Sequence, residues 1–115
     1  MINFDILICR TKENPNYSAT LKAGVDRDGE LGLRYEFIDN NDSWDNDDIR
    51  AIIKSDDAKV LANTLDCSVE RLAETIANQF KTTELFSTPT EVEKVFKRIL
   101  AYIESNGTQY RMSYL

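Results

Sequence analysis

The sequence predicts an α+β domain: an N-terminal antiparallel β-meander of three strands, with the C-terminal tail available as a fourth, and three to four helices packed on one face. Three observations predict it. Apolar residues recur at every second position as far as Phe37. Beyond residue 39 they recur with the 3.6-residue period of a helix. Turn formers separate the first set into three blocks, so strands come before helices and the two are segregated.

Ile2, Phe4, Ile6 and Ile8 alternate with Asn3 and Asp5, which makes one face of a first strand apolar. Asn14-Pro15-Asn16 marks the first connection. Tyr17, Ala19, Leu21, Ala23 and Val25 then alternate with Ser18, Thr20 and Lys22. Asp26-Arg27-Asp28-Gly29-Glu30 is a hairpin signal, because Asp-Gly supplies the positive φ that a tight turn needs. Leu31, Leu33, Tyr35 and Phe37 alternate with Gly32, Arg34 and Glu36, which leaves Lys22, Arg34 and Glu36 on an outer, exposed face.

In the second half, Ile49, Ile52 and Ile53 suggest a short helix behind Asp47-Asp48. Ser55-Asp56-Asp57 reads as the capped start of another, with Val60, Leu61 and Leu65 inward. Val69, Leu72, Ala73, Ile76, Ala77 and Phe80 form an amphipathic stripe on a helix that starts near Ser68. Thr88-Pro89-Thr90-Glu91 combines a capping box with proline at the first helical position, and Asn106-Gly107 ends that helix. Its buried stripe is Val92, Val95, Phe96, Ile99 and Ile103. Tyr110 to Tyr114 alternates again. The expected core includes Phe4, Ile6, Leu21, Leu33, Leu72, Ile76, Phe96 and Ile99.

A chain of 115 residues, 42% hydrophobic and 30% charged, fits one domain over residues 1–115 with a core that needs no staples. The apolar runs are too short to span a membrane, and Met1-Ile2-Asn3-Phe4-Asp5 has no signal-peptide character, so a cytoplasmic location is expected. In that compartment Cys9 and Cys67 are free thiols. The net charge of −6 argues against direct binding to nucleic acid, which needs clustered Lys and Arg.

Catalytic equipment is sparse. The absence of histidine removes His-based triads, His general bases and His metal ligands. Two cysteines cannot build a structural zinc site, and no glycine-rich phosphate loop occurs. Asp26 to Leu31 echoes the centre of a calcium-binding loop. In that register, however, the first and twelfth positions fall on Gly24 and Tyr35, which cannot supply carboxylates. Cys67 precedes a helix start, where a thiol pKa can fall, but Asp66 and Glu70 oppose that effect. The expectation is a protein that is not an enzyme and has no catalytic, cofactor-binding or metal-binding residues.

The densest feature is Asp39-Asn40-Asn41-Asp42-Ser43-Trp44-Asp45-Asn46-Asp47-Asp48. From Asp39 to Asp57, seven aspartates against Arg50 and Lys54 leave −5 of the chain's net −6. A solvated linker with helix caps explains Asp, Asn and Ser there. It explains neither the surplus of aspartates nor the only tryptophan, placed mid-run. Trp44 either anchors a partner or folds back onto the core. Asp39, Asp42, Trp44, Asp45, Asp47 and Asp48 are therefore the candidate partner-binding residues, and the field they create suits a basic protein.

The opening Ile2-Asn3-Phe4-Asp5-Ile6-Leu7-Ile8-Cys9-Arg10, together with the small acidic strands-then-helices layout, resembles the immunity proteins of bacterial contact-dependent growth inhibition and other polymorphic toxin systems. The resemblance implies a protein, monomeric in its complex, that binds a cognate toxin domain, often a nuclease, and blocks its active site. It carries no shared motif and assigns no residue. Two other readings use the same carboxylates: an acidic nucleic-acid mimic that inhibits a defence enzyme, and a small hydrolase dependent on a divalent cation. An adaptor docking through its helices would need an apolar helical stripe left over, and both long stripes are taken up by covering the sheet.

Overall fold

The computed structural model describes residues 2–114. Five strands form one antiparallel sheet in sequence order: β1 (Ile6–Arg10), β2 (Tyr17–Val25), β3 (Leu31–Asp39), β4 (Asp47–Ile53) and β5 (Arg111–Tyr114). Helices α1 (Ser55–Thr64), α2 (Leu72–Phe80) and α3 (Pro89–Ser105) follow β4, and α2 and α3 pack over β1 to β3. The fold is α+β, with the N-terminal meander and the C-terminal strand in place.

Register explains which side chains reach the core. Leu21 lies opposite Tyr35, Ala23 opposite Leu33, and Leu33 opposite Ala51, so the inner face is one apolar surface. Leu21, Leu33, Leu72, Ile76 and Ile99 are fully buried, and Phe96 stacks on Tyr35 with ring centroids 6.1 Å apart. Ala19, Ala23 and Ala51 are fully buried on the same face. The Asp26–Glu30 turn closes as the sequence implies: Gly29 has φ +86°, and the Asp26 carboxylate accepts from the Glu30 backbone N–H at 2.8 Å. At α3 the capping box forms, and the Glu91 carboxylate accepts from the Thr88 backbone N–H at 3.2 Å.

Several expectations need correction. Ile49, Ile52 and Ile53 belong to a strand, not a helix. Spacings of three and four fit a helical stripe, but here Ile49, Ala51 and Ile53 face the core while Asp48, Arg50 and Ile52 face outward. Ile52 has its own apolar neighbours on that side, Ile2 and Phe4. Pairing on both sides, with β3 and with β5, decides the conformation of so short a segment.

Phe4 does not enter the core. The first strand starts only at Ile6, and a bulge between Leu7 and Cys9 shifts its register. Residues 2–5 instead cross the outer face as a strap. A Cβ built on Gly32 would stand 2.8 Å from atoms of both Ile2 and Phe4, and one on Gly24 only 2.0 Å from the Asn3 carbonyl oxygen. Two facing glycines, Gly24 opposite Gly32, thus make the groove that the strap occupies. Ile6 is half-buried against the core rather than within it.

Val60 is not inward; it is 61% exposed, because the phase of α1 is set by Ala58, Leu61 and Ala62. The cap position of α1 is Lys54, without a side-chain cap, so Ser55 is already helical. The Ser68 region begins as a 3-10 turn over Val69–Arg71 before α2 proper. Among the described residues, no helix is long and apolar enough to cross a membrane.

Candidate functional site: an acidic hairpin loop with an exposed tryptophan

Because β4 pairs with β3, the acidic run becomes the loop of a β-hairpin rather than a bridge from sheet to helices. Its ends are the last residue of β3, Asp39, and the first two of β4, Asp47 and Asp48. Its tip is a 3-10 turn, Ser43–Asp45, none of whose residues is buried.

The loop polar groups build its shape. The Asp39 carboxylate accepts from the backbone N–H groups of Asn41 (2.9 Å) and Asp42 (3.2 Å). The Asp42 carboxylate caps the turn by accepting from the Trp44 backbone N–H at 3.0 Å. Across the base, the Asn46 side-chain carbonyl accepts from the Asp39 backbone N–H at 2.6 Å. The neighbouring β1–β2 loop braces this structure. Asn40 donates its backbone N–H to the Asn16 carbonyl (2.8 Å) and its side-chain amide to the Pro15 carbonyl (2.9 Å). The Asn41 side-chain amide donates to Asn16 Oδ1 at 3.3 Å, so all three amides of the run brace the loop.

Trp44 is 94% exposed, which answers the alternative left open by composition: it does not fold back onto the core. Asp42, Asp45 and Asp47 are exposed beside it, and Asp39 is half-buried at the loop base. Asp45 and Asp47 have no ion-pair partner among the described residues. These five of the six candidate residues share one end of the sheet.

Asp48 is directed elsewhere. Its carboxylate receives two bonds from Arg34, Nε at 3.1 Å and Nη2 at 2.8 Å, and lies 3.5 Å from Arg50 Nε. Hydrogen bonding to Arg34 holds its pKa below the ordinary carboxylate value. Arg34 also pairs with Glu36 at 3.0 Å, and Arg50 lies over the Phe4 ring, 5.3 Å from its centroid. Asp48 is thus the centre of an outer-face ion network that ends at the strap. Its role was hidden from sequence reasoning because residues 49–53 read as a helix, which removes the cross-strand neighbour. The bracing asparagines were missed as well; Asn14-Pro15-Asn16 gave only a turn signal.

Neither cysteine adds chemistry here. Cys9 is buried, and burial pushes its thiol up to about 12, with Arg98 pulling the other way. Cys67 is partly buried and packs against the core as a free thiol. Among the described residues, no group of three or more His, Cys, Asp or Glu side chains is arranged to hold a metal ion.

No family model matches this chain, and neither the curated proteins nor the solved structures hold a match to it.

Proposed function

We propose that this chain is an immunity-type inhibitor: it binds a basic protein partner, a toxin domain of the nuclease kind, and blocks its active site with the β3–β4 loop. The observation that carries the reading is Trp44, 94% exposed at the tip of a loop braced by hydrogen bonds and ringed by Asp39, Asp42, Asp45 and Asp47. Leaving an indole in water forgoes the stabilisation of burying it, and a desolvated tryptophan is a frequent interface anchor.

Electrostatics supports the same partner. A nuclease site is basic because it holds phosphate, and carboxylates can stand in for the phosphates. Asp39, Asp42, Asp45 and Asp47 stand at this loop without an ion-pair partner among the described residues, so attraction over about a Debye length, ~10 Å, would speed encounter. Bracing by Asn40 and Asn46 lowers the entropy lost when the loop is immobilised. The chain acts by occupying a site rather than by turnover, without a cofactor, in the cytoplasm, one copy per toxin domain. Asp48 contributes its charge but remains engaged with Arg34.

The test is to express the product of the adjacent open reading frame and measure binding to it. Changing Asp42, Asp45 and Asp47 together to Asn should slow association and flatten its dependence on salt. Trp44→Ala should act on dissociation and cost ~2 kcal/mol or more. Wild-type rates in both variants, at low and high salt, would remove this loop from the interface.

A further inference from the structure

The two edges of the sheet are treated differently. At β1 the edge is closed over its C-terminal end. Phe86 donates its backbone N–H to the Arg10 carbonyl (3.1 Å) and accepts from Lys12 (2.8 Å), and the bulge between Leu7 and Cys9 bends the rest. These devices keep an edge from pairing with another chain. β5 has neither a bulge in its register nor a covering segment among the described residues, and none of its residues is buried.

The side chains of β5 are also unusual for an edge left to solvent. Tyr114 and Met112 lie opposite Ile49 and Ala51, so they share the helix-side face, yet Tyr114 is 70% exposed. Tyr110 continues the row on that face, its hydroxyl bonded to Glu104 of α3. Arg111 and Ser113 face outward, opposite Ile52 and Arg50, and Arg111 has no ion-pair partner among the described residues.

We propose that β5 pairs antiparallel with β5 of a second copy of this chain, about a two-fold axis at Met112. That register sets Tyr114 against Tyr110 of the other copy and Met112 against Met112, so the exposed tyrosine gains an aromatic neighbour. On the outer face it sets Arg111 against Ser113, which separates the two arginines. A register centred one half-step away, on the 111–112 bond, would pair residues from opposite faces, and one centred on Arg111 would oppose like charges. The two five-stranded sheets become one of ten strands. The axis places the two acidic loops at opposite ends, so neither is covered and their mutual repulsion is small. Four or five paired residues a side bury less than the ~1,000 Å² of a stable specific interface, so the association is weak.

Sedimentation of the full chain, from low micromolar to near-millimolar concentration, tests the proposal. Wild type should dimerise with concentration, and added salt should leave the dimer largely unchanged, because the charged loops are held far apart. Ser113→Arg should weaken it about tenfold, by opposing Arg111 twice across the axis. Arg111→Glu combined with Ser113→Arg should restore it, since each new Glu then faces an Arg. Tyr114→Lys, which leaves the outer face untouched, should also weaken it. Thermal melting of each variant checks that it is folded. A wild type that stays monomeric throughout, a dimer that dissolves with salt, or a double variant no better than Ser113→Arg would each overturn this interface.

Discussion

Arg34 reaches diagonally from β3 to clamp the Asp48 carboxylate of β4 through two nitrogen–oxygen pairs, at 3.1 and 2.8 Å. The clamp resolves a conflict in the register. Lys22, Arg34 and Arg50 are direct cross-strand neighbours on the outer face, and like charges side by side destabilise a sheet. Asp48 and Glu36, opposite each other one row away, offset the charges of Arg34 and Arg50 in that row.

Asp48→Asn should therefore destabilise the domain by ~1–2 kcal/mol at neutral pH, more than a typical surface pair. Its pKa is depressed in the folded state, so its contribution is fully present above the unfolded value of 3.8. It is lost as pH falls through the lower, folded value. The gap between wild type and variant should narrow below about pH 4 in melts taken across pH. A gap of the same size at pH 2 and pH 7 would show that the charge is not the cause.

The strap predicts a graded glycine effect. Gly24→Ala places a methyl group 2.0 Å from a backbone oxygen, whereas Gly32→Ala meets the ends of the Ile2 and Phe4 side chains at 2.8 Å. Backbone yields less readily than a side-chain tip. Gly24→Ala should cost ~1–3 kcal/mol and release residues 2–5 to hydrogen exchange; Gly32→Ala should cost less. Equal stability of both variants and wild type in denaturant would contradict the packing of the strap.

In the core, Leu72→Ala and Ile99→Ala should each cost ~2–5 kcal/mol, since both side chains are fully buried against the sheet. Chemical denaturation of the two variants measures this directly, and changes within error would mean that the helical faces are assigned wrongly.

One substitution should stabilise. Asp66 closes α1 with φ 57°, a left-handed conformation that glycine adopts without steric cost, and Cys67 donates back to the Ala62 carbonyl at 3.0 Å. Asp66→Gly should raise stability by ~0.5–1 kcal/mol, because the relief of left-handed strain exceeds the added freedom of the unfolded chain. A lower melting temperature would show that it does not.

Period and punctuation in the sequence were enough to determine the meander of β2 and β3, the Asp26–Glu30 turn, the stripes of α2 and α3 and the capping box at Thr88, while the alternation of the C-terminal tail left a fourth strand open. Each depends on residues close together in the chain, where backbone geometry and side-chain spacing act directly. The concentration of negative charge around Trp44 was equally legible, because it is a property of composition. Tertiary structure alone decided the rest. Residues 49–53 carry a pattern that two periods fit, and only pairing with β3 and β5 makes them a strand. That one assignment turned a linker into a hairpin loop, set Asp48 beside Arg34 and left Trp44 in water. Phe4 went to the outer face for a similar reason: the groove that receives it is made by Gly24 and Gly32, some twenty and more residues further along. A short apolar segment has several faces it could cover, and which one it takes depends on surfaces built by distant parts of the chain.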